Sequence, residues 1–144
     1  MISEATTKDL EALLMLYTYL HDNTMPEISE SVEKTWQQIM DDPYHHIILA
    51  KEREYIISSL VLIIVPNLTH NQRPYGVIEN VITHPDYRKK GYATACLNYG
   101  KEVAKKADCY KLMLLTGSKE ESTIKFYENA GYNKKDKTAF IQWL

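Results

Sequence analysis

Long apolar runs are missing from this chain, and their absence removes the first function class. The longest, Ile56–Val65, is broken by Ser58 and Ser59, well short of the roughly 20 residues a bilayer-spanning helix needs. The opening Met1-Ile2-Ser3-Glu4 has no basic region feeding an apolar core, so no secretory signal is expected. Cysteine is scarce. Cys96 and Cys109 form no metal-binding spacing and fall within apolar patterns, so buried free thiols and a cytoplasmic location are expected. There is no internal repeat, low-complexity segment or linker. Neither Gly-x-Gly-x-x-Gly nor Gly-Lys-Ser/Thr occurs, which argues against a Rossmann site and a Walker-type NTPase. No basic stripe with interleaved aromatics is present and the pI is near 6.2, so nucleic acid is a poor partner. Neither nucleic acid nor a membrane is expected.

What is present describes one ordinary globular domain over residues 1–144. A hydrophobic fraction of 44% and a charged fraction of 25% suit a chain that buries a core. The net charge of −2 hides an asymmetry. Residues 1–72 hold 4 Lys/Arg and 11 Asp/Glu, and residues 73–144 hold 13 and 8. Either solvated surface charge is unevenly spread, or the N-terminal half meets a cation and the C-terminal half an anion.

The periodicities give a coarse plan. Met1–Ala5 reads as a strand. Thr6 or Thr7 caps a helix to about Leu20, with Leu10, Leu13, Leu14 and Tyr17 on one face. Ser31–Met40 is a second helix. His46–Lys51 and Tyr55–Val65 form a hairpin around Glu52-Arg53-Glu54. After a polar loop from Pro66 to Pro74, Tyr75–Thr83 is a strand. Gly91–Ala107 is the strongest helix, striped by Ala93, Cys96, Leu97, Gly100, Val103, Ala104 and Ala107. Tyr110–Leu115 is a strand. Glu121–Ala130 is a helix ended by Gly131, and Thr138–Leu144 is a final strand. A mixed sheet flanked by helices, in an α/β or α+β domain, follows.

The most informative stretch is Val81-Ile82-Thr83-His84-Pro85-Asp86-Tyr87-Arg88-Lys89-Lys90-Gly91-Tyr92-Ala93-Thr94. A strand runs into three basic residues and a Gly-x-Ala that opens a long helix. The first turn of a helix carries unpartnered N–H groups and the positive end of the dipole, which together attract a phosphate. Gly91 lets the backbone turn tightly there. The plain alternative is a helix start with incidental lysines.

Arg-x-x-Gly-x-Ala after a strand resembles the pyrophosphate-binding motif of the GNAT superfamily of N-acetyltransferases. Phe126-Tyr127-Glu128-Asn129-Ala130-Gly131-Tyr132 is similar to that family's signature on its last helix. The two motifs come in the family's order, separated by a helix and a strand. The resemblance implies a mixed, mostly antiparallel sheet splayed between its fourth and fifth strands and flanked by helices. It implies acetyl-CoA as cosubstrate, with its pantetheine arm paired to Val81, Ile82 and Thr83 and its pyrophosphate held at Arg88, Lys89, Lys90, Gly91, Tyr92, Ala93 and Thr94. It also implies transfer of an acetyl group, by direct attack, to a primary amine; the acidic residues of the segment from about Thr7 to Asp42 point to a small cationic molecule or a basic peptide as the acceptor. Glu120 stands where the family often has an Asn that contacts the cofactor arm.

Acyl transfer from a thioester needs a neutral amine and a thiolate able to leave. Tyr127 is the candidate acid for the sulfur, because a phenol stays protonated at neutral pH; its alternative is a core tyrosine. Glu79 is the candidate base, acting through a water, with burial in an apolar strand expected to raise its pKa; its alternative is an outward-facing residue or an ion pair. His84 borders the cofactor loop and is read as a loop residue. His45 and His46 point to opposite faces of a strand, and no metal is expected. Tyr17, Tyr19, Trp36 and Tyr44 either line the acceptor pocket or pack the core. Asp22, Glu27, Glu30, Glu33, Asp41 and Asp42 give the segment around the first two helices a negative sign. A second copy of the chain is a candidate partner. The rival readings are a non-catalytic coenzyme A-binding or sensor module, and an interaction protein without nucleotide.

Overall fold

Alternation along the two longest strands decides the layering. A computed structural model describes residues 1–20 and 24–144. In it β2 (His45–Glu52) and β3 (Tyr55–Val65) form a hairpin at the centre of a five-stranded sheet. Successive side chains on a strand point to opposite faces. Ile48, Leu60, Leu62 and Ile78 therefore go to one core, and Ile47, Leu49, Val61 and Ile82 to another. The sheet is covered on both faces, which is why these strands read as nearly continuous apolar runs.

The order across the sheet is β1 (Ile2–Glu4), β2, β3, β4 (Tyr75–Thr83) and β5 (Leu112–Leu114). All neighbours are antiparallel except β4 and β5. On one face lie α1 (Leu10–Tyr17) and α2 (Glu30–Asp41), with Leu13, Leu16 and Trp36 buried against the sheet. The indole N–H of Trp36 donates to the carbonyl of Thr7 at 3.1 Å and ties the two helices together. The expected stripe on α1 differs by one position. Leu16 is buried, and Leu14 is only half-buried. A 3₁₀ turn over Thr7–Asp9 precedes the helix, and Leu10 and Tyr17 still pack on the face of Leu13 and Leu16.

On the other face α4 (Tyr92–Lys106) lies close to the strands. Gly100 makes this possible: a Cβ there would stand 3.2 Å from Cδ1 of Ile48 and 3.7 Å from Cδ1 of Leu60. Cys96, Leu97 and Ala104 complete the buried stripe. Between β3 and β4 the expected loop contains a single left-handed turn, α3 (Thr69–Gln72), with positive φ at His70, Asn71 and Gln72. The last helix is α5 (Glu121–Asn129), stopped by Gly131 at φ +95°.

Two strand assignments change. β5 covers Leu112–Leu114 rather than Tyr110–Leu115. Thr138–Leu144 forms no strand; it runs exposed, and no strand among the described residues pairs with it. Strand propensity there is real, but a strand exists only where a neighbour accepts its hydrogen bonds.

The buried ion pair that anchors the N-terminal region gives a stability prediction. The Asp9 carboxylate accepts from the backbone N–H of Thr6 at 2.8 Å and from its hydroxyl at 2.9 Å, and pairs with the Lys51 ammonium. Burial alone would raise the Asp9 pKa, but the Lys51 and Thr6 hydrogen bonds overcome it and hold the group below its usual value. A lowered folded pKa stabilises above the unfolded value near 3.9 and is lost as pH falls through the folded one. Asp9→Ala is expected to cost about 3 kcal/mol at pH 7, because it strands a partly buried ammonium and removes a helix cap. Asp9→Asn should remove part of the fall in stability below pH 4. Urea melts at pH 7 and pH 3 check both; equal midpoints for wild type and Asp9→Ala at pH 7 would contradict the assignment.

Candidate active site

The fourth strand is where the sheet opens. β4 pairs with β5 only at Gly76–Leu112, Val77–Met113 and Ile78–Leu114. Beyond Ile78 it continues to Thr83, still bonded to β3 but, among the described residues, with no strand paired on its other side. The splay is thus built from register, and it leaves backbone groups of the stretch from Glu79 to Thr83 available to an extended ligand. A bulge begins at the same point. Val61 faces Glu79 and Ser59 faces Ile82, so β4 spends one extra residue there, with Asn80 at φ +51°.

Strand β4 leads through a 3₁₀ turn, Pro85–Tyr87, to the helix start. His84 caps this turn, its Nδ1 accepting from the Asp86 N–H at 3.3 Å. Its ring lies edge-on to Tyr19 at 4.8 Å and to Tyr87 at 5.6 Å. His84 therefore sits as a capping loop residue, and Tyr19 brings the end of the first helical region against this loop. The Arg88 guanidinium donates to the Thr83 carbonyl at 3.3 Å and ties the basic turn to the strand end. Lys89 has φ +60° and Gly91 φ +87°. Gly91 caps α4, and a Cβ there would meet nothing within 4 Å. Among the described loop and cap bonds, the first backbone N–H after Arg88 to be engaged is that of Ala95. The N–H groups from Lys89 to Thr94 are those a phosphate would use, and the exposed side chains of Arg88, Lys89 and Lys90 surround them. The amides, the basic side chains and the open space at Gly91 fit a pyrophosphate.

Tyr127 lies on α5 and packs, with Val81 and Tyr92, against the core under α4. Burial pushes its phenol above the usual value. Burial also lifts the neighbouring Tyr132 to about 12, helped by the charge Tyr127 would carry. Tyr127 is thus held protonated. Glu79 departs from expectation. It is exposed, not buried, because the strands part beside it. Its cross-strand partner Val61 belongs to the core under α1 and α2, so Glu79 faces that side and Tyr127 the other.

Sequence reasoning missed the polar group behind the bulge. The hydroxyls of Tyr17 and Ser59 are buried without a partner. Burial raises the Tyr17 phenol, and the nearby side chains of Ser59 and Asn80 work against that rise. Trp36 is core and Tyr44 is exposed beside a different cleft. His46 meets Glu4 at 3.0 Å. Among the described residues no group of three or more His, Cys, Asp or Glu could hold a metal. Cys96 is buried and Cys109 half-buried, both free, and burial pushes the Cys96 thiol up to about 11. Glu27, Glu30, Glu33, Asp41 and Asp42 are exposed on and around α2; Asp22 lies outside the described residues. No helix among them is long and apolar enough to cross a membrane.

Comparison with known proteins adds independent findings. The family model described as Acetyltransferase (GNAT) family matches residues 10–132. A glucosamine 6-phosphate N-acetyltransferase of Trypanosoma brucei brucei is 32% identical over 82 residues, covering 57% of this chain and 54% of that protein. The chain thus matches about half the length of this curated relative. A solved structure from Agrobacterium tumefaciens str. C58, described in general terms as an acetyltransferase, is 33% identical with a TM-score of 0.91 and covers 99% of both chains. The glucosamine-6-phosphate N-acetyltransferase of Arabidopsis thaliana shares the fold, with a TM-score of 0.86 at 20% identity over 99% of this chain and 97% of that one.

Proposed function

The chain belongs to the acetyltransferase (GNAT) family, and from that premise we propose that it moves the acetyl group of acetyl-CoA directly onto a primary amine. The observation that carries this reading is the joined geometry of the open end of β4 and the left-handed Gly91 turn. The first offers unpaired backbone to the pantetheine arm. The second offers amides from Lys89 to Thr94 to the pyrophosphate. The sulfur end of an arm laid along Val81, Ile82 and Thr83 reaches the gap between β4 and β5, with Tyr127 on one side and Glu79 on the other.

Each residue then has a defined task. Glu79 takes the proton of the ammonium through a water, leaving a nitrogen lone pair. The splay aligns that nitrogen with the thioester carbonyl, so that a C–N bond forms as the C–S bond breaks. Tyr127 gives its phenolic proton to the departing sulfur, and the second proton of the attacking nitrogen passes through water to the tyrosinate, leaving a neutral amide, a free thiol and a protonated Tyr127. Exposure of Glu79 suits a base that works on an incoming solvated amine.

The acceptor is proposed to be a small cationic amine or a basic peptide, supported by the carboxylates around α2 and by Glu79 itself. A second reading, a phosphorylated amino sugar, is favoured by the name of the curated relative. Salt separates them. Screening over about 10 Å at 0.1 M shrinks to about 3 Å at 1 M, so kcat/KM for a cationic acceptor should fall severalfold across that range. Charge reversal at Glu27 or Glu30 should reproduce part of the loss without changing acetyl-CoA affinity. A preferred acceptor with net negative charge, or a salt-independent rate, would overturn the cationic reading. A panel of amines assayed for free coenzyme A tests the activity itself.

A further inference from the structure

The face of the sheet beneath α4 changes character at one end. Counting by twos along β2, Ala50 and Ile48 belong to the core under α4, and His46 comes next on the same face. On β1, Glu4 stands opposite Ile48 and so diagonal to His46, and the two side chains meet at 3.0 Å. On β3, Ile64 follows Leu60 and Leu62. The helix comes close to the strands at Gly100. Past it, the residues turned to this core are Val103, Ala104 and Ala107, all short. They do not fill the layer. A cleft of about 680 Å³ remains, with Glu4, His46 and Ile64 from the sheet, Tyr99 and Val103 from the helix, and Tyr44 beside them. Sites for small molecules have roughly 300–1,000 Å³. The cleft lies at the other end of α4 from the Gly91 turn, apart from the proposed cofactor site.

Part of its rim is fixed in advance. The turn between β3 and β4 contributes Asn67 and Gln72. His70, Asn71 and Gln72 all have positive φ, a conformation disfavoured for residues with a Cβ. The Asn67 side-chain amide holds the turn by donating to the Thr69 and Arg73 carbonyls at 3.1 and 3.2 Å. The His70 ring stacks on Tyr110 at 3.9 Å. Backbone held this way by its surroundings is common at ligand clamps.

The groups on the floor accept hydrogen bonds. A carboxylate can only accept, so Nδ1–H of His46 donates to Glu4, and in a neutral imidazole the other ring nitrogen is then an acceptor. The second Glu4 oxygen accepts too. Glu102 adds a further carboxylate, shared with the Lys105 ammonium at 2.8 Å. The Tyr44 and Tyr99 rings add aromatic surface, which favours a cation. Lys106 is the cation of the lining and ends α4, where the helix dipole already suits positive charge. An ordinary edge ion pair would stand in solvent, whereas His46 is 18% exposed and lies beneath a helix.

We propose that this cleft binds a small organic cation, a primary ammonium on an aromatic or apolar stem. Its N–H groups go to Glu4 and His46, and its stem lies against Tyr44, Tyr99 and Val103. Acetylation removes the charge and two of the three N–H donors, so the cleft takes free amines and refuses N-acetyl amides. The inference stands on the cleft and not on the proposed activity.

Amide shifts of the isotope-labelled full chain, titrated with phenethylammonium chloride at constant ionic strength, test it. Saturable shifts are expected at His46, Tyr99 and Val103, with a dissociation constant of about 1 mM for so small a probe. Phenethyl alcohol and N-acetylphenethylamine should leave those amides unmoved. Glu4→Gln keeps the shape and removes the charge, and should weaken binding at least about tenfold. Tyr44→Leu, at a half-exposed position outside the core, should weaken it about threefold. Equal binding of phenethyl alcohol overturns the proposal. So does unchanged affinity in both variants, or a set of shifts confined to the stretch from Glu79 to Thr94. No turnover enters the readout, so failure of the enzymatic reading would leave this result standing.

Discussion

Replacing Gly91 by aspartate is expected to weaken acetyl-CoA binding about 100-fold or more. Two effects combine. Gly91 sits at φ +87°, where a residue with a Cβ is strained by about 1 kcal/mol. The space around it is open, so no clash hides the effect and the rest of the fold stays intact. The larger effect is electrostatic. A carboxylate would stand at the positive end of α4, beside the amides from Lys89 to Thr94, where a doubly charged pyrophosphate is proposed to lie. A neighbouring like charge in a partly dehydrated site costs a few kcal/mol, and each 1.4 kcal/mol is tenfold in affinity. Gly91→Ala should lose only the strain, about five-fold. Calorimetric titration of acetyl-CoA checks both. Equal affinity in Gly91→Asp and wild type would place the pyrophosphate elsewhere.

Tyr127→Phe is expected to lower kcat on the order of 100-fold, the usual cost of losing a general acid, while acetyl-CoA affinity changes little. The ring packs against the core under α4 beside Phe126 and Tyr132, and phenylalanine keeps that packing. Among the described hydrogen bonds, none involves the Tyr127 hydroxyl, so its removal strands no protein partner. The two variants are complementary: one should raise the cofactor dissociation constant, the other should lower turnover. Steady-state rates at saturating acetyl-CoA decide the second. Wild-type turnover in Tyr127→Phe would reduce the residue to a packing role.

The parts of the site visible in the sequence are those whose physics is local. Gly91 had to be glycine because the turn has positive φ, and the basic triplet and the helix stripe are contiguous with it. Gly131, the hairpin, and the N-terminal cap of the first helical region at Thr6 were legible for the same reason. What stayed hidden depends on pairing between distant segments. The bulge at Asn80 exists because Val61 and Ser59 face Glu79 and Ile82 with one residue too many between them. That mismatch has no signature in either strand alone. Burial of Glu79 was expected from the apolar residues around it; the parting of β4 and β5, a tertiary event, exposes it instead. The unpartnered hydroxyls of Tyr17 and Ser59 lie 42 positions apart in sequence and are buried near one another only because α1 lies on β3. The missing last strand has the same origin: its residues are those of a strand, and no strand among the described residues pairs with them.

Acetyl transfer to an amine through the proposed Tyr127 acid and Gly91 turn is tested by a thiol-release assay with acetyl-CoA and a set of primary amines, with mass spectrometry of the acceptor, on wild type, Gly91→Asp and Tyr127→Phe. Wild type is expected to release free coenzyme A in step with an acceptor that gains one acetyl group, and both variants are expected to be slow at low acetyl-CoA. Saturating acetyl-CoA should restore Gly91→Asp but not Tyr127→Phe. An acceptor acetylated equally fast by all three proteins, or acetyl-CoA binding with no acetylated amine in the set, would contradict it.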